Sequence, residues 1–149
     1  MLSKNYIVVF DLDETIGHFS QINFFWNLVK YYFKNTSLHE KYLHSLLDLF
    51  PNVFRDGIFK IFKILVSKKK QNICNNVVIY TNNNGTNNWI TMLVNYIHKK
   101  LKYKLFDKII RNYSDNYEIY EFCRVSNSKS YKDLLECTNF LPNTKVCFI

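Results

Sequence analysis

Glycine and proline are nearly missing from this chain, at 3 and 2 of 149 residues. A turn-rich all-β fold needs both, Gly for positive φ and Pro for a preset φ, so that class is disfavoured. Long hydrophobic runs are missing too. No apolar stretch reaches the roughly 18–20 residues that span a bilayer. Asp11 and Asp13 interrupt the short apolar run near the N-terminus, so it does not read as a signal peptide. No membrane partner is expected, and the chain reads as intracellular, cytoplasmic or nuclear. Cys74, Cys123, Cys137 and Cys147 form no C-x-x-C pair, which argues against a zinc knuckle or a thioredoxin-type site. In a reducing compartment they are expected to be buried free thiols. His18, His39, His44 and His98 do not stand at ligand spacing with one another or with cysteine. Of the four, only His18 lies close to an acidic motif.

Apolar and basic residues are plentiful. A 48% hydrophobic content indicates a globular chain, and the length suits one domain around one core. Heavy use of Asn, Lys, Ile, Tyr and Phe points to an AT-rich genome, viral or other. The formal charge of +8 would draw anionic partners such as phosphoprotein, nucleic acid or anionic lipid. The densest lysine runs, 68–70 and 99–104, are expected to be solvated helix ends. No interleaving of basic and aromatic residues matches a nucleic-acid-binding module.

Along the chain, short apolar runs alternate with helical periodicity. Tyr6-Ile7-Val8-Val9-Phe10 reads as a strand buried on both faces, as in a parallel sheet. Gln21 to Lys34 is dense in aromatics and reads as a helix buried on most of its surface. Leu38 to Phe50 repeats at helical spacing until Pro51 stops it. Asp56 is a candidate cap for the next helix, whose stripe is Ile58, Ile61, Phe62 and Leu65. Lys68 to Lys70 close that helix, where the macrodipole favours cations. Val77 to Tyr80 is a second strand, followed by a polar loop from Thr81 to Thr86 and a helix through Trp89 to Leu101. Phe106 to Ile110 reads as a third strand, and Glu118 to Val125 as a strand or an irregular connection. Ser130 to Cys137 reads as a short helix, and Lys145 to Ile149 as a last strand. The alternation predicts an α/β fold with a doubly wound parallel sheet.

Two of these strands end in polar loops, and ligands of open α/β sheets bind at the carboxyl edge of the strands. Asp11, Asp13 and Thr81 therefore meet at one edge. Two carboxylates one residue apart can divide labour, Asp11 attacking phosphorus and Asp13 serving as general acid and then base. A hard cation such as Mg²⁺ would relieve their repulsion, with Asp11 and Asp13 as ligands. The plain alternative is a surface turn after a strand. An EF-hand loop fails, because Ile16 and Ile22 occupy the positions that need Gly and Glu.

Val8-Val9-Phe10-Asp11-Leu12-Asp13-Glu14-Thr15 resembles the first motif of haloacid dehalogenase-like phosphatases, D-x-D-x-T after an apolar strand. With His18, it is similar to the signature of the FCP/SCP group, which acts on phosphoserine in RNA polymerase II repeats and related phosphoproteins. The resemblance implies a Rossmann-like fold and an Mg²⁺-dependent phosphatase with Asp11 as nucleophile and Asp13 as acid/base. Thr81 would be the second-motif phosphate ligand, with Asn82 adding a contact. Ser130-Tyr131-Lys132-Asp133-Leu134 is similar to the group's Y-x-K-D-L segment, so Lys132 is the expected phosphate lysine and Lys129 the runner-up. A fourth, acidic motif would follow Val146 to Ile149; none is present, and truncation of a longer protein is the expectation. Residues 18–52 exceed the compact family pattern and read as a helical insertion near the site. Two other readings stay open. One is a catalytically inactive module that binds phosphate or protein. The other is a phosphatase for small molecules or polynucleotides.

Overall fold

The computed structural model describes residues 6–83, 87–113, 119, 121–141 and 143–149. β1 (Tyr6–Phe10) forms where five consecutive apolar residues favour an extended, doubly covered backbone. It lies inside a four-stranded, wholly parallel sheet of order β3-β2-β1-β4. Its neighbours are β2 (Cys74–Tyr80) and β4 (Lys145–Phe148), and β3 (Lys108–Ile110) pairs with β2. Register sets Phe10 opposite Ile79, Tyr80 opposite Ile110 and Val9 opposite Phe148, so four strand ends open onto one edge.

Successive strand residues point to opposite faces and so enter different cores. Val8, Phe10, Val77 and Ile79 join one cluster with residues of α1 (Ser20–Tyr32), α2 (His39–Leu49), α3 (Ile58–Lys70) and α4 (Asn87–Leu101). Ile7, Val9, Val78 and Tyr80 face the other way, against Leu134 and Cys137 of α5 (Tyr131–Thr138). Helices thus cover both faces of the parallel sheet, as the alternating sequence pattern predicts. No helix among the described residues is long and apolar enough to cross a membrane.

Several local expectations need correction. α1 buries only Ile22 and Trp26, while Phe24, Phe25, Leu28, Tyr31 and Tyr32 are exposed. Apolar density therefore overstated its burial, because this helix has packing partners on one side alone. α2 reaches α4 through polar bonds. His44 Nε2 lies 3.0 Å from the Met92 carbonyl oxygen, and the Tyr96 hydroxyl donates to Asp48 at 2.8 Å. Asp56 caps nothing. Gly57, at φ 75°, takes the N-cap position and carries the chain into α3 one residue later. Ile61, expected on the α3 stripe, is exposed. Lys69 is no solvated end: its ammonium donates to the Leu105 carbonyl at 3.1 Å and to both carboxylate oxygens of Asp107 at 2.6 and 2.5 Å. Asp107 also accepts from Val77 N–H at 2.8 Å, tying α3, β2 and the approach to β3 together.

Residues 121–125 are irregular; residues 118 and 120 of the expected 118–125 segment lie outside the described residues, as do 84–86 of the polar loop. Cys123 and Cys137 are joined in a disulfide, against the expectation of free thiols, while Cys74 is free and buried and Cys147 free and exposed. A separation of 14 residues matches no cysteine motif. Folding of the irregular segment back onto the inner face of α5 makes the pair.

The turn after β1 depends on close packing. Gly17 bridges to Asp13 on one side and Phe54 on the other. A β-carbon there would stand 2.3 Å from the Val53 carbonyl oxygen and 2.6 Å from the Phe19 ring. Gly17→Ala is therefore expected to cost about 1–3 kcal/mol, the usual range for overpacking. Urea denaturation measures it, and an unchanged midpoint would show that the turn yields freely.

Candidate active site

Asp11 is the first residue past β1, and Leu12 after it is fully buried. That apolar plug places the two flanking carboxylates outside the core. Asp11 Oδ1 accepts the Leu12 N–H at 2.7 Å, and its Oδ2 meets the Lys129 ammonium in a short ion pair. Its backbone N–H donates to the Ile149 carbonyl at 3.3 Å, so the end of β4 lies beside it. The carboxylate is thus oriented by one backbone donor and one cation.

Asp13 stands in the turn that follows. Its Oδ2 accepts from Asn83 Nδ2 at 2.7 Å. Burial pushes its carboxyl above the usual 3.8, the Asn83 bond opposes this, Asp11 and Glu14 raise it further, and Lys129 lowers it. Such an environment retains a proton longer than an open carboxyl does. Glu14 turns away at φ 59° and pairs with His18 Nδ1 at 2.6 Å on the exposed side.

The second wall comes from β2. Thr81 is buried, its N–H donates to the Ile110 carbonyl at 2.9 Å, and its Oγ1 accepts the Asn83 N–H at 3.0 Å. That small turn is what presents Asn83 to Asp13. A hydroxyl that accepts one bond still has a proton to donate. Asn82, expected to add a phosphate contact from backbone or side chain, has its side chain engaged by neighbours. Its Nδ2 donates to the Asn127 carbonyl at 2.7 Å, and its Oδ1 accepts from Arg124 Nη2 at 2.9 Å.

Arg124 was not foreseen. It is buried, its guanidinium lies 4.8 Å from the Tyr80 ring centroid, and it donates to the Thr81 carbonyl at 3.3 Å and to the Arg111 carbonyl. It therefore joins the ends of β2 and β3. No sequence signal marks it, since its acceptors are the Asn82 side chain and two backbone carbonyls just past the ends of β2 and β3, all outside its own segment. Asn83 was also missed; its role follows from a loop turn rather than from its residue type.

The two lysine candidates separate clearly. Ser130 is the N-cap of α5, its Oγ accepting the Asp133 N–H at 3.0 Å. Its backbone N–H also donates to the Tyr80 hydroxyl at 3.2 Å. Lys129 therefore precedes the helix and reaches back to Asp11, whereas Lys132 lies in the first turn and is exposed. The runner-up occupies the site and the preferred lysine does not. The pattern Ser130-x-x-Asp133 held the clue, because a cap at Ser130 starts the helix after Lys129.

Among the described residues, no group of three or more His, Cys, Asp or Glu is placed to hold a metal. Two carboxylates, Asp11 and Asp13, face the edge. That donor set fits a Mg²⁺ that keeps several waters and takes one or two carboxylates together with substrate phosphate. No protein-family model, curated protein or solved structure matches this chain.

Removal of the Asn83 amide should move Asp13 further in the direction burial already pushes it. Asn83→Ala is expected to raise the Asp13 pKa above its parent value, read by carboxyl-carbon NMR titration. An unchanged or lowered value would mean that the Asn83 bond does not favour the charged form.

Proposed function

We propose that this chain is a phosphoric monoester hydrolase of the haloacid dehalogenase-like type, working through an aspartyl-phosphate on Asp11. The observation that carries the reading is the arrangement of Asp11 against Lys129, with the raised Asp13 two residues on and Thr81 at the end of the adjacent strand. An oxygen of Asp11 attacks phosphorus while the ester P–O bond breaks. The protonated Asp13 donates to the departing alkoxide, which makes the group's elevated pKa useful. Asp13 then takes a proton from water. The hydroxide adds to phosphorus, and the bond to Asp11 breaks to release phosphate. The Lys129 ammonium and the Thr81 hydroxyl offset and orient phosphate charge as it moves. Mg²⁺, held by the Asp11 carboxylate and the backbone carbonyl of Asp13, would neutralise phosphate oxygens and leave the Asp13 side chain free for proton transfer. The resemblance of the first motif to the FCP/SCP group favours phosphoserine or phosphothreonine proteins as substrates.

One observation favours a second reading. Among the described residues no group of three or more His, Cys, Asp or Glu is placed to hold a metal, which suits a catalytically inert phosphate-binding module. Turnover of p-nitrophenyl phosphate with Mg²⁺ separates the two. The enzyme reading expects hydrolysis that Asp11→Asn abolishes. It also expects Lys129→Ala to lower kcat/KM by roughly a hundredfold or more, the scale of losing an electrostatic stabiliser, with Lys132→Ala within about twofold of parent. Equal effects from the two lysines would remove Lys129 from the site.

Asp13→Asn should behave differently with leaving group. On a phosphoserine peptide it is expected to cut turnover by about 10²–10⁴, the usual worth of a general acid–base group. On p-nitrophenyl phosphate, whose phenolate needs little protonation, rapid quench should show a burst near one equivalent and then slow hydrolysis. Absence of both effects would displace Asp13 from its role.

A further inference from the structure

A cavity of about 670 Å³ adjoins the turn that carries Asp13, and its lining is strongly cationic. Arg55, Lys60 and Lys63 contribute three fixed positive charges to the lining against the carboxylate of Asp56, and His18 on the near wall is paired with Glu14. None of the three cations is paired with a carboxylate among the described residues. Lys60 and Lys63 are three residues apart on α3, so their side chains emerge on one face and repel each other. Unpaired like charges gathered around a concavity are stabilised by an anion that enters it.

The wall is fastened to the catalytic turn. Arg55 N–H donates to the Ile16 carbonyl at 2.9 Å, and His18 N–H to the Val53 carbonyl at 2.7 Å. The β-bridges of Gly17 to Asp13 and to Phe54 complete this attachment. An anion held here would therefore sit against the turn that carries Asp13. We infer that the cavity is a second anion subsite, which takes a further phosphate carried by the phosphopeptide whose scissile phosphate lies at Asp11. This rests on the proposed phosphatase reading and deepens it. A concave pocket with two neighbouring lysines suits one compact dianion. Phe54 and Phe59 also line it, but Phe54 is buried and Phe59 packs against Phe54 and Phe62 of the core, so this lining offers no open row of rings as a stacking platform for single-stranded nucleic acid.

The test compares one peptide sequence carrying one or two phosphoserines, with binding followed by fluorescence anisotropy on the whole chain without added divalent cation. The doubly phosphorylated peptide is expected to bind on the order of tenfold tighter, the scale of two partly exposed ion pairs. Lys60→Glu with Lys63→Glu should erase that preference while leaving p-nitrophenyl phosphate turnover and the melting temperature unchanged. Equal binding of the two peptides, or a preference that survives the double charge reversal, overturns the subsite. Displacement of the peptide by an equal concentration of a single-stranded oligonucleotide overturns the assignment to a phosphopeptide. If p-nitrophenyl phosphate is not hydrolysed but the preference and its loss appear, the subsite stands and the Asp11 chemistry falls. If hydrolysis is normal and no preference appears, the chemistry stands and the subsite falls.

Discussion

The position of β1 inside a parallel sheet constrains everything around it. Hydrogen-bonded to β2 on one side and β4 on the other, and covered on both faces from Ile7 to Phe10, it has no place for a charged side chain along that stretch. Polar chemistry can begin only where the strand ends. Asp11 stands there, and Leu12 immediately returns to the core before Asp13 emerges. The pair of carboxylates is therefore set by the burial of its neighbours as much as by its own bonds. The same constraint acts on β2, where four buried residues from Val77 to Tyr80 give way to the Thr81 turn.

Around that edge the chain uses buried cations as fasteners. Arg124 gathers carbonyls from the ends of β2 and β3 and holds Asn82, which fixes the Thr81–Asn83 turn from behind. Lys69, only partly buried, does similar work beside the middle of β2, where Asp107 links it to the Val77 amide. A buried charge is costly unless its donors are met; Arg124 is anchored through its two Nη groups and the Tyr80 ring, while its Nε is buried with no hydrogen-bond partner among the described residues. The disulfide between Cys123 and Cys137 closes the stretch that contains Arg124 and Lys129. Groups that approach Asp11 from the far side of the sheet are thereby delivered as one unit with α5. Asp13, in contrast, is held by a single amide and keeps its raised pKa within a half-buried setting.

Much of the fold is written in local pattern. Runs of four or five apolar residues marked β1 and β2, and helical spacing marked α2, α3 and α4, because each of these elements buries a face that its own sequence must supply. α1 misled for the same reason in reverse: its aromatics look like a core-facing set, yet most of them meet solvent. The site was legible in part. Asp11, Asp13 and Thr81 could be named because they end buried strands. Lys132 matches the family segment better than Lys129, yet the Ser130 cap already keeps Lys129 outside the helix. Asn83 and Arg124 carry no pattern, since an amide reaching a carboxylate 70 residues away depends on two turns at once.

The sequence by itself determined where strands and helices form and which two carboxylates follow the first strand. These follow from side-chain periodicity and burial, which act over a few neighbouring residues. Tertiary structure alone decided which lysine meets Asp11, which amide holds Asp13, which cysteines join, and that a cationic cavity abuts the turn carrying Asp13. Each of those rests on strand register and loop closure between distant segments. Their geometry is fixed only when both faces of the sheet are packed, and no local pattern of residues encodes it.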